Sequence, residues 1–302
     1  MAVTVAQARR VVVLDFPSTL EFMYSPVIDT LEAGFRFATF EVVRKDYTRA
    51  MQRGKLHTYV WIGVGLNPQR MRAASTAGAR TIYYQTEPIR HGKREQAVDE
   101  IWDFSRANLR VCQAPVCRFV PPGYIAPPTP ANKRPTVPRR PHLHLLGYPY
   151  YRSGRAANYA TLKRQLGLDL NASWDQWDHH SWERWWHTVG KHVVHLHLHK
   201  RGNAVRTPAF RFSPLLSHGA VFISQSMDPD DEKPYEGLVH FATNLSHIPT
   251  LFRRVRAFVG NGTHRRHVRN TFRRRFSPRV LFRDANVYRD IASEAAASTF
   301  AK

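Results

Sequence analysis

Cysteine is almost missing from this chain. Cys112 and Cys117 are the only two in 302 residues, and they stand five apart. Two thiols make neither a disulfide framework nor a complete zinc site, so the cysteine usage points to a reducing, cytoplasmic location. Long apolar runs are missing as well. Nothing approaches the roughly 18 residues of a membrane-spanning helix. Met1 to Arg10 lacks the apolar core of a signal peptide, because Val11-Val12-Val13-Leu14 soon meets Asp15 and Pro17. Acidic residues are scarce, at 23 against 45 Lys and Arg, for a net charge of +22. From Leu251 to Arg283 there are eleven arginines and no carboxylate. That segment is a basic arm, and the balance predicts attraction to polyanions: nucleic acid, an anionic membrane surface, or phosphorylated substrates. Phe252, Phe258, Phe272, Phe276 and Phe282 lie in or beside it and are of the type that stacks bases, although no nucleic-acid motif accompanies them. Gly63-Val64-Gly65 is too short for a dinucleotide fingerprint.

What is present is enough apolar residue, 43%, to build real cores, over a length that suits one large or two medium domains at ~150 residues each. Val11 to Phe16 reads as a central parallel strand with Asp15 at its end. Thr58 to Gly63 and Thr81 to Tyr84 read as further strands. Helices are expected at Glu21 to Ala33 (broken at Pro26), Pro68 to Ala77 and Gln96 to Ser105. Pro121 to Pro141 carries eight prolines in twenty-one residues, a stiff linker. Beyond it the alternation restarts with strands at His142 to Leu146 and His192 to His199. Helices follow at Asn244 to Phe258, Thr263 to Phe276 and Ala285 to Thr299. The expectation is an α/β chain of two Rossmann-like domains facing across a cleft, with C-terminal basic helices. The boundaries are 1–125, a linker at 126–141, 142–260, and a basic segment at 261–302.

Leu196 to Phe241 draws the most attention. A strand, a basic loop with Lys200, Arg201 and Arg206, a helix from Pro208 to Ser217 closed by Gly219, and a strand from Ala220 to Ser224 follow one another. Pro214 is expected to kink or split that helix. A helix delivering a strand that opens on a polar loop is how an open α/β sheet makes a ligand crevice, and the cations suggest a phosphate. His195, His197 and His199 alternate on one strand and share a face. Without a clear fourth ligand, contact of His199 with an anion is the better reading than zinc. The tryptophans Trp174, Trp177, Trp182, Trp185 and Trp186 suit either a sugar-stacking surface or a helix seam.

Several stretches in order resemble the two-domain GT-B glycosyltransferases. They are Tyr84-Gln85-Thr86-Glu87, the run Glu100-Ile101-Trp102-Asp103-Phe104-Ser105 with Asn108, Pro121-Pro122-Gly123-Tyr124, Leu146-Gly147-Tyr148, and Phe210-Arg211-Phe212-Ser213-Pro214-Leu215-Leu216 with Gly219, Ser224 and Tyr235. The resemblance covers about residues 80 to 245. It implies a glycosyltransferase that takes a UDP- or GDP-linked donor, needs no metal, and passes the sugar to an unknown glycan, lipid or protein acceptor. Arg211, Lys200, Arg206, His199, Gln225, Gly147 and Tyr235 become donor-site candidates, and Glu87 and Asp15 candidate bases for the acceptor hydroxyl. Asp103 is read as structural. The chain departs from the pattern where acidic residues are expected. Pro208 or Ala209 stands ahead of Arg211, and Gln225 follows Ser224. A catalytically degenerate binding protein and a nucleic-acid binder using residues 253–283 are the alternatives. The same arm also suits an enzyme held at a membrane surface.

Overall fold

The computed structural model describes residues 10–45, 56–63, 65, 67–86, 98–127, 141–146, 154–173, 192–199, 208–291 and 293. Glu87, Gly147, Lys200, Arg206, the five tryptophans between 174 and 186 and most of the proline linker lie outside them. The chain divides into two compact units, 1–122 with 278–302, and 123–277. The segment 261–302, read from the sequence as one basic piece, is thus shared between the two.

The first unit is built on a six-stranded parallel sheet. Its strands are β1 (Val11–Asp15), β2 (Glu41–Arg44), β3 (Leu56–Gly63), β4 (Arg80–Gln85), β5 (Glu100–Asp103) and β6 (Val116–Phe119), in the order β2-β1-β3-β4-β5-β6. Every residue of β1 is buried, which explains its unbroken apolar run: parallel strands are covered on both faces. Val11, Val13, Tyr59, Met71 and Ile101 share one side's core. Crossovers are made by α1 (Glu21–Phe37), α2 (Pro68–Thr76) and the short α3 (Arg106–Leu109). Helix α1 runs through Pro26 without a break, outlasting the expected end by four residues.

One expectation fails here. Gln96 to Ser105 is not a helix, because residues 100–103 form β5, buried at all four positions. Short apolar runs are ambiguous between strand and helix, and pairing with β4 and β6 decides this one. Asp103 then works as a local cap. It accepts from the Ser105 amide (2.8 Å) and from Asn108 Nδ2, while Ser105 caps α3. Trp102 stacks on Phe35 at 5.8 Å, and Phe282 from the C-terminal helix α9 (Pro278–Asp284) meets both rings edge-on. Gly34 makes that contact possible, since a Cβ there would overlap the Phe282 ring. The buried Arg118 fastens the same segment. It donates to Glu100, to the Ala285 carbonyl and to Asp290. Cys112 and Cys117 are joined in a disulfide. A reducing compartment, expected from the cysteine usage, does not favour such a bond.

The second unit carries five parallel strands, β7 (His142–Leu146), β8 (Leu170–Ser173), β9 (Val193–His197), β10 (Val221–Gln225) and β11 (His240–Ala242), in the order β11-β10-β9-β7-β8. Its helices are α4 (Gly154–Leu166), α5 (Ala209–His218), α6 (Pro229–Glu232), α7 (His247–Val255) and α8 (Gly262–Phe276). On one face Leu143, Leu145, Val194, Leu196 and Ile223 pack against Leu162, Ile248 and Phe252. Phe212 of α5 meets Phe222 of β10 edge-on at 4.8 Å on the other. Pro214 neither splits nor ends α5. It is buried within a ten-residue helix, and tertiary packing there outweighs the missing hydrogen bond.

Helix α5 ends on Gly219 at φ 78°, and a Cβ there would run into the Arg265 backbone carbonyl of α8. Gly237 has nearly the same φ, 76°, with nothing near its missing Cβ. Gly219→Ala should therefore cost more stability than Gly237→Ala, where the loss is conformational only, about 1 kcal/mol. Urea midpoints of the two variants decide it. Equal losses would mean that α5 and α8 yield at the crossing.

Candidate functional site

Both sheets share one topology. The chain leaves the first strand in one direction and returns on its other side, so strand order reverses between β1 and β3 and again between β7 and β9. Such a switch point, at the carboxyl ends of the strands, is where open α/β sheets bind ligands.

In the first unit the switch point holds Asp15, 2% exposed at the end of β1. Tyr59 Oη donates to its Oδ2 at 2.7 Å, and Arg70 of α2 forms an ion pair with the same oxygen. Burial, and then the neighbouring Asp15 carboxylate, hold the Tyr59 phenol protonated far above its ordinary range. Asp15 therefore ties β1 to β3 and α2. As a base for an acceptor hydroxyl it is poorly placed, because the cation and the phenol already occupy it.

The second unit gathers its functional side chains at the ends of β9 and β10. His197 and His199 are 6% and 8% exposed, with their rings 5.3 Å apart and perpendicular. Arg211, in the first turn of α5, donates from Nη1 to His197 Nδ1 at 3.1 Å. A protonated imidazole has no acceptor there, so His197 is neutral in this pairing. Burial holds it well below its ordinary range, reinforced by Arg211, His199 and Arg155. His199 donates from Nε2 to the Ser226 carbonyl at 2.8 Å, which leaves its Nδ1 as an acceptor. Burial lowers its pKa too, and Arg155 adds to the effect against the Ser226 bond. Gln225 accepts the His199 amide on Oε1 at 2.7 Å. Its NH₂ is left to donate.

Arg211 is half-buried. Desolvation, and then repulsion from Arg155, lower it to about 9, so it stays cationic at neutral pH. The site works against it in three ways: burial, a second arginine, and the positive end of α5, which has no side-chain cap. Among the described residues no carboxylate lies against it to offset these costs. Arg155 is the residue the sequence reading missed. Buried in the first turn of α4, it donates Nε to the Leu198 carbonyl at 2.9 Å. One signal was available: a basic residue opening the helix after the unit's first strand.

Other candidates fall differently. Tyr235 is 1% exposed, sandwiched between Phe212 (4.8 Å) and Phe276 (4.9 Å), so it belongs to the core and not to a ligand surface. Its hydroxyl has no hydrogen-bond partner. His195 stacks on Phe222 inside the sheet. Pro208 and Ala209 are buried at the start of α5. Ser224 donates Oγ to the Gln225 carbonyl.

No protein-family model matches this sequence, and no curated protein matches it either. Solved structures do. The Anabaena HepE protein in complex with UDP gives a TM-score of 0.54 at 10% identity, over 95% of this chain and 100% of that one. The same protein with UDP and glucose gives 0.51 at 9% over 95% and 99%. Sucrose-phosphate synthase from Thermosynechococcus elongatus gives 0.51 at 8%, over 95% and 100%. The chain has a GT-B glycosyltransferase-like fold. At these identities the likeness speaks to the fold alone. Within this GT-B-like chain, the cationic cluster stands at the switch point of the second unit.

Two outcomes follow. Tyr235→Phe removes a buried, unpaired hydroxyl, whose desolvation is worth about 1–3 kcal/mol. Its urea midpoint should equal or exceed the parent's, whereas a loss would mean the hydroxyl has a partner. The second concerns pH. His142, His197, His199, His240 and His264 of this unit all have pKa values lowered by burial, His240 to about 4. The unfolded chain takes up these protons near pH 6.5, before the folded chain does, so acid favours unfolding. Stability present above about pH 6.5 should fall progressively toward pH 4. A urea midpoint unchanged between pH 7.5 and 5 would contradict this.

Proposed function

We propose that the chain is a glycosyltransferase that moves a sugar from a UDP- or GDP-linked donor to an acceptor hydroxyl without a metal, and that its second unit holds the donor diphosphate. The observation that carries this reading is Arg211, a half-buried guanidinium held by a neutral histidine and repelled by Arg155, with no carboxylate against it among the described residues. Such a cation is costly unless an anion completes the site. Arg211 and the Gln225 NH₂ are both donors, as a diphosphate requires. In the transfer, the acceptor oxygen bonds to the anomeric carbon as the bond to the diphosphate oxygen breaks. The acceptor proton passes to a base, and negative charge gathers on the departing diphosphate, where fixed cations stabilise it. With Asp15 bound to Tyr59 and Arg70, Glu87 is the remaining candidate base. Lys200, Arg206 and Gly147 stay candidates for the donor loops.

Gln225 favours a second reading, a binding protein that has lost catalysis. Its amide oxygen is occupied by the His199 amide, so Gln225 does not offer a ribose hydroxyl the acceptor that a carboxylate at this position would.

A nucleotide thermal shift tests the shared part. Saturating UDP or GDP at ~100 Kd should stabilise the protein by about 2.7 kcal/mol, a rise of several degrees. Arg211→Ala should weaken binding about 10- to 100-fold, as the loss of a charge-assisted hydrogen bond does. No shift with any nucleoside diphosphate would sink both readings. Donor hydrolysis separates them: diphosphate release from UDP- or GDP-sugars supports the enzyme, and tight binding without release supports the degenerate protein.

A further inference from the structure

The basic arm has a face of its own. Helix α8 is 15 residues long, about 22 Å. Val268, Phe272 and Phe276 are buried along one side of it. Arg266, Arg269 and Arg273, at spacings of three and four, line the other side and are all exposed. Arg253 and Arg254, in the last turn of α7 in the same unit, are exposed too. Arg253 donates to the Thr250 hydroxyl and Arg266 to the Thr263 hydroxyl. Among the described residues no carboxylate pairs with any of the five, and the sequence explains why: residues 237–283 contain no Asp or Glu. Because charge is held here without local compensation, the face is complementary to an extended anionic surface.

Two features choose the surface. Of the phenylalanines that would stack bases, Phe252, Phe272, Phe276 and Phe282 are buried at 0–2% exposure and the half-buried Phe258 is stacked on His264 at 4.5 Å, so the arm presents no stacking platform for a single strand. No large apolar residue of α7 or α8 is among the exposed ones, so nothing there inserts into a bilayer or wedges between base steps. What remains exposed along α8 and at the end of α7 is cationic, which suits adsorption to lipid headgroups. We propose that the exposed arginines of α8, with those that end α7, dock the protein on an anionic lipid bilayer by electrostatics alone. This holds whether or not the second unit binds a nucleotide.

Sedimentation of the full-length protein with vesicles tests it. At low salt the protein should pellet with phosphatidylcholine–phosphatidylglycerol vesicles and stay in solution with phosphatidylcholine alone. Raised salt should release it. The triple variant Arg266→Glu/Arg269→Glu/Arg273→Glu should partition at least about a hundredfold more weakly, each headgroup-facing cation contributing several-fold. The matching Lys variant should retain binding, which separates lost charge from lost fold, and circular dichroism checks both. Failure to pellet with the anionic vesicles, equal pelleting with neutral ones, or an undiminished triple variant would overturn the proposal. So would release from the vesicles by duplex DNA at matched phosphate concentration, which would assign the face to nucleic acid. UDP-induced stabilisation, measured on the same variants, reports separately on the donor site.

Discussion

Arg211 donates to a histidine that cannot be charged, and the second unit is arranged around that bond. It needs β9 to place His197 at a strand end, α5 to begin beside it, and burial to keep the imidazole neutral. Gly219 serves the same end from the far side of the helix. It lets α5 stop, turn into β10, and pass close to the α8 backbone. Gln225 then joins β10 to the end of β9 through the His199 amide. A half-buried guanidinium with a second one nearby and, among the described residues, no acid against it is out of balance without a ligand. That imbalance is a stronger argument for an anion site than the net charge, which an arginine-rich surface supplies anywhere.

The two sheets repeat one topology but use their switch points differently. In the first unit, a carboxylate, a phenol and a guanidinium satisfy one another at the end of β1. The result is a closed structural knot. In the second unit the ends of β9 and β10 carry donors, the Arg211 guanidinium and the Gln225 amide, with no carboxylate against Arg211 among the described residues. The same physics reads opposite ways: where opposite charges meet, the site is structural, and where like charges are held together, a partner is wanted.

The sequence made the strands legible wherever both faces are covered, because runs such as Val11 to Leu14 and Val221 to Ile223 leave no room for polar alternation. It misled at residues 100–103. Four residues carry too little periodicity to separate strand from helix, and only pairing on both sides settles them. The prolines misled in the other direction. Pro26 and Pro214 argued for breaks, yet both helices run through them because packing outweighs one lost hydrogen bond. At the site, Arg211 and Gln225 came to notice through the resemblance to GT-B glycosyltransferases. Arg155 did not, because its approach depends on how a separate crossover helix begins. Tyr235 looked ligand-facing in a motif and proved to be core. The phenylalanines of the basic arm looked like a stacking surface. Their helical spacing puts them on the buried side, leaving arginine alone outside.

The most direct test of the account is a crystal structure of the protein soaked with UDP. The account predicts the diphosphate at the carboxyl ends of β9 and β10, within hydrogen-bond reach of the Arg211 guanidinium and the Gln225 amide, with the Arg211–His197 bond intact. A diphosphate bound elsewhere, or Arg211 turned from it toward a carboxylate, would contradict it.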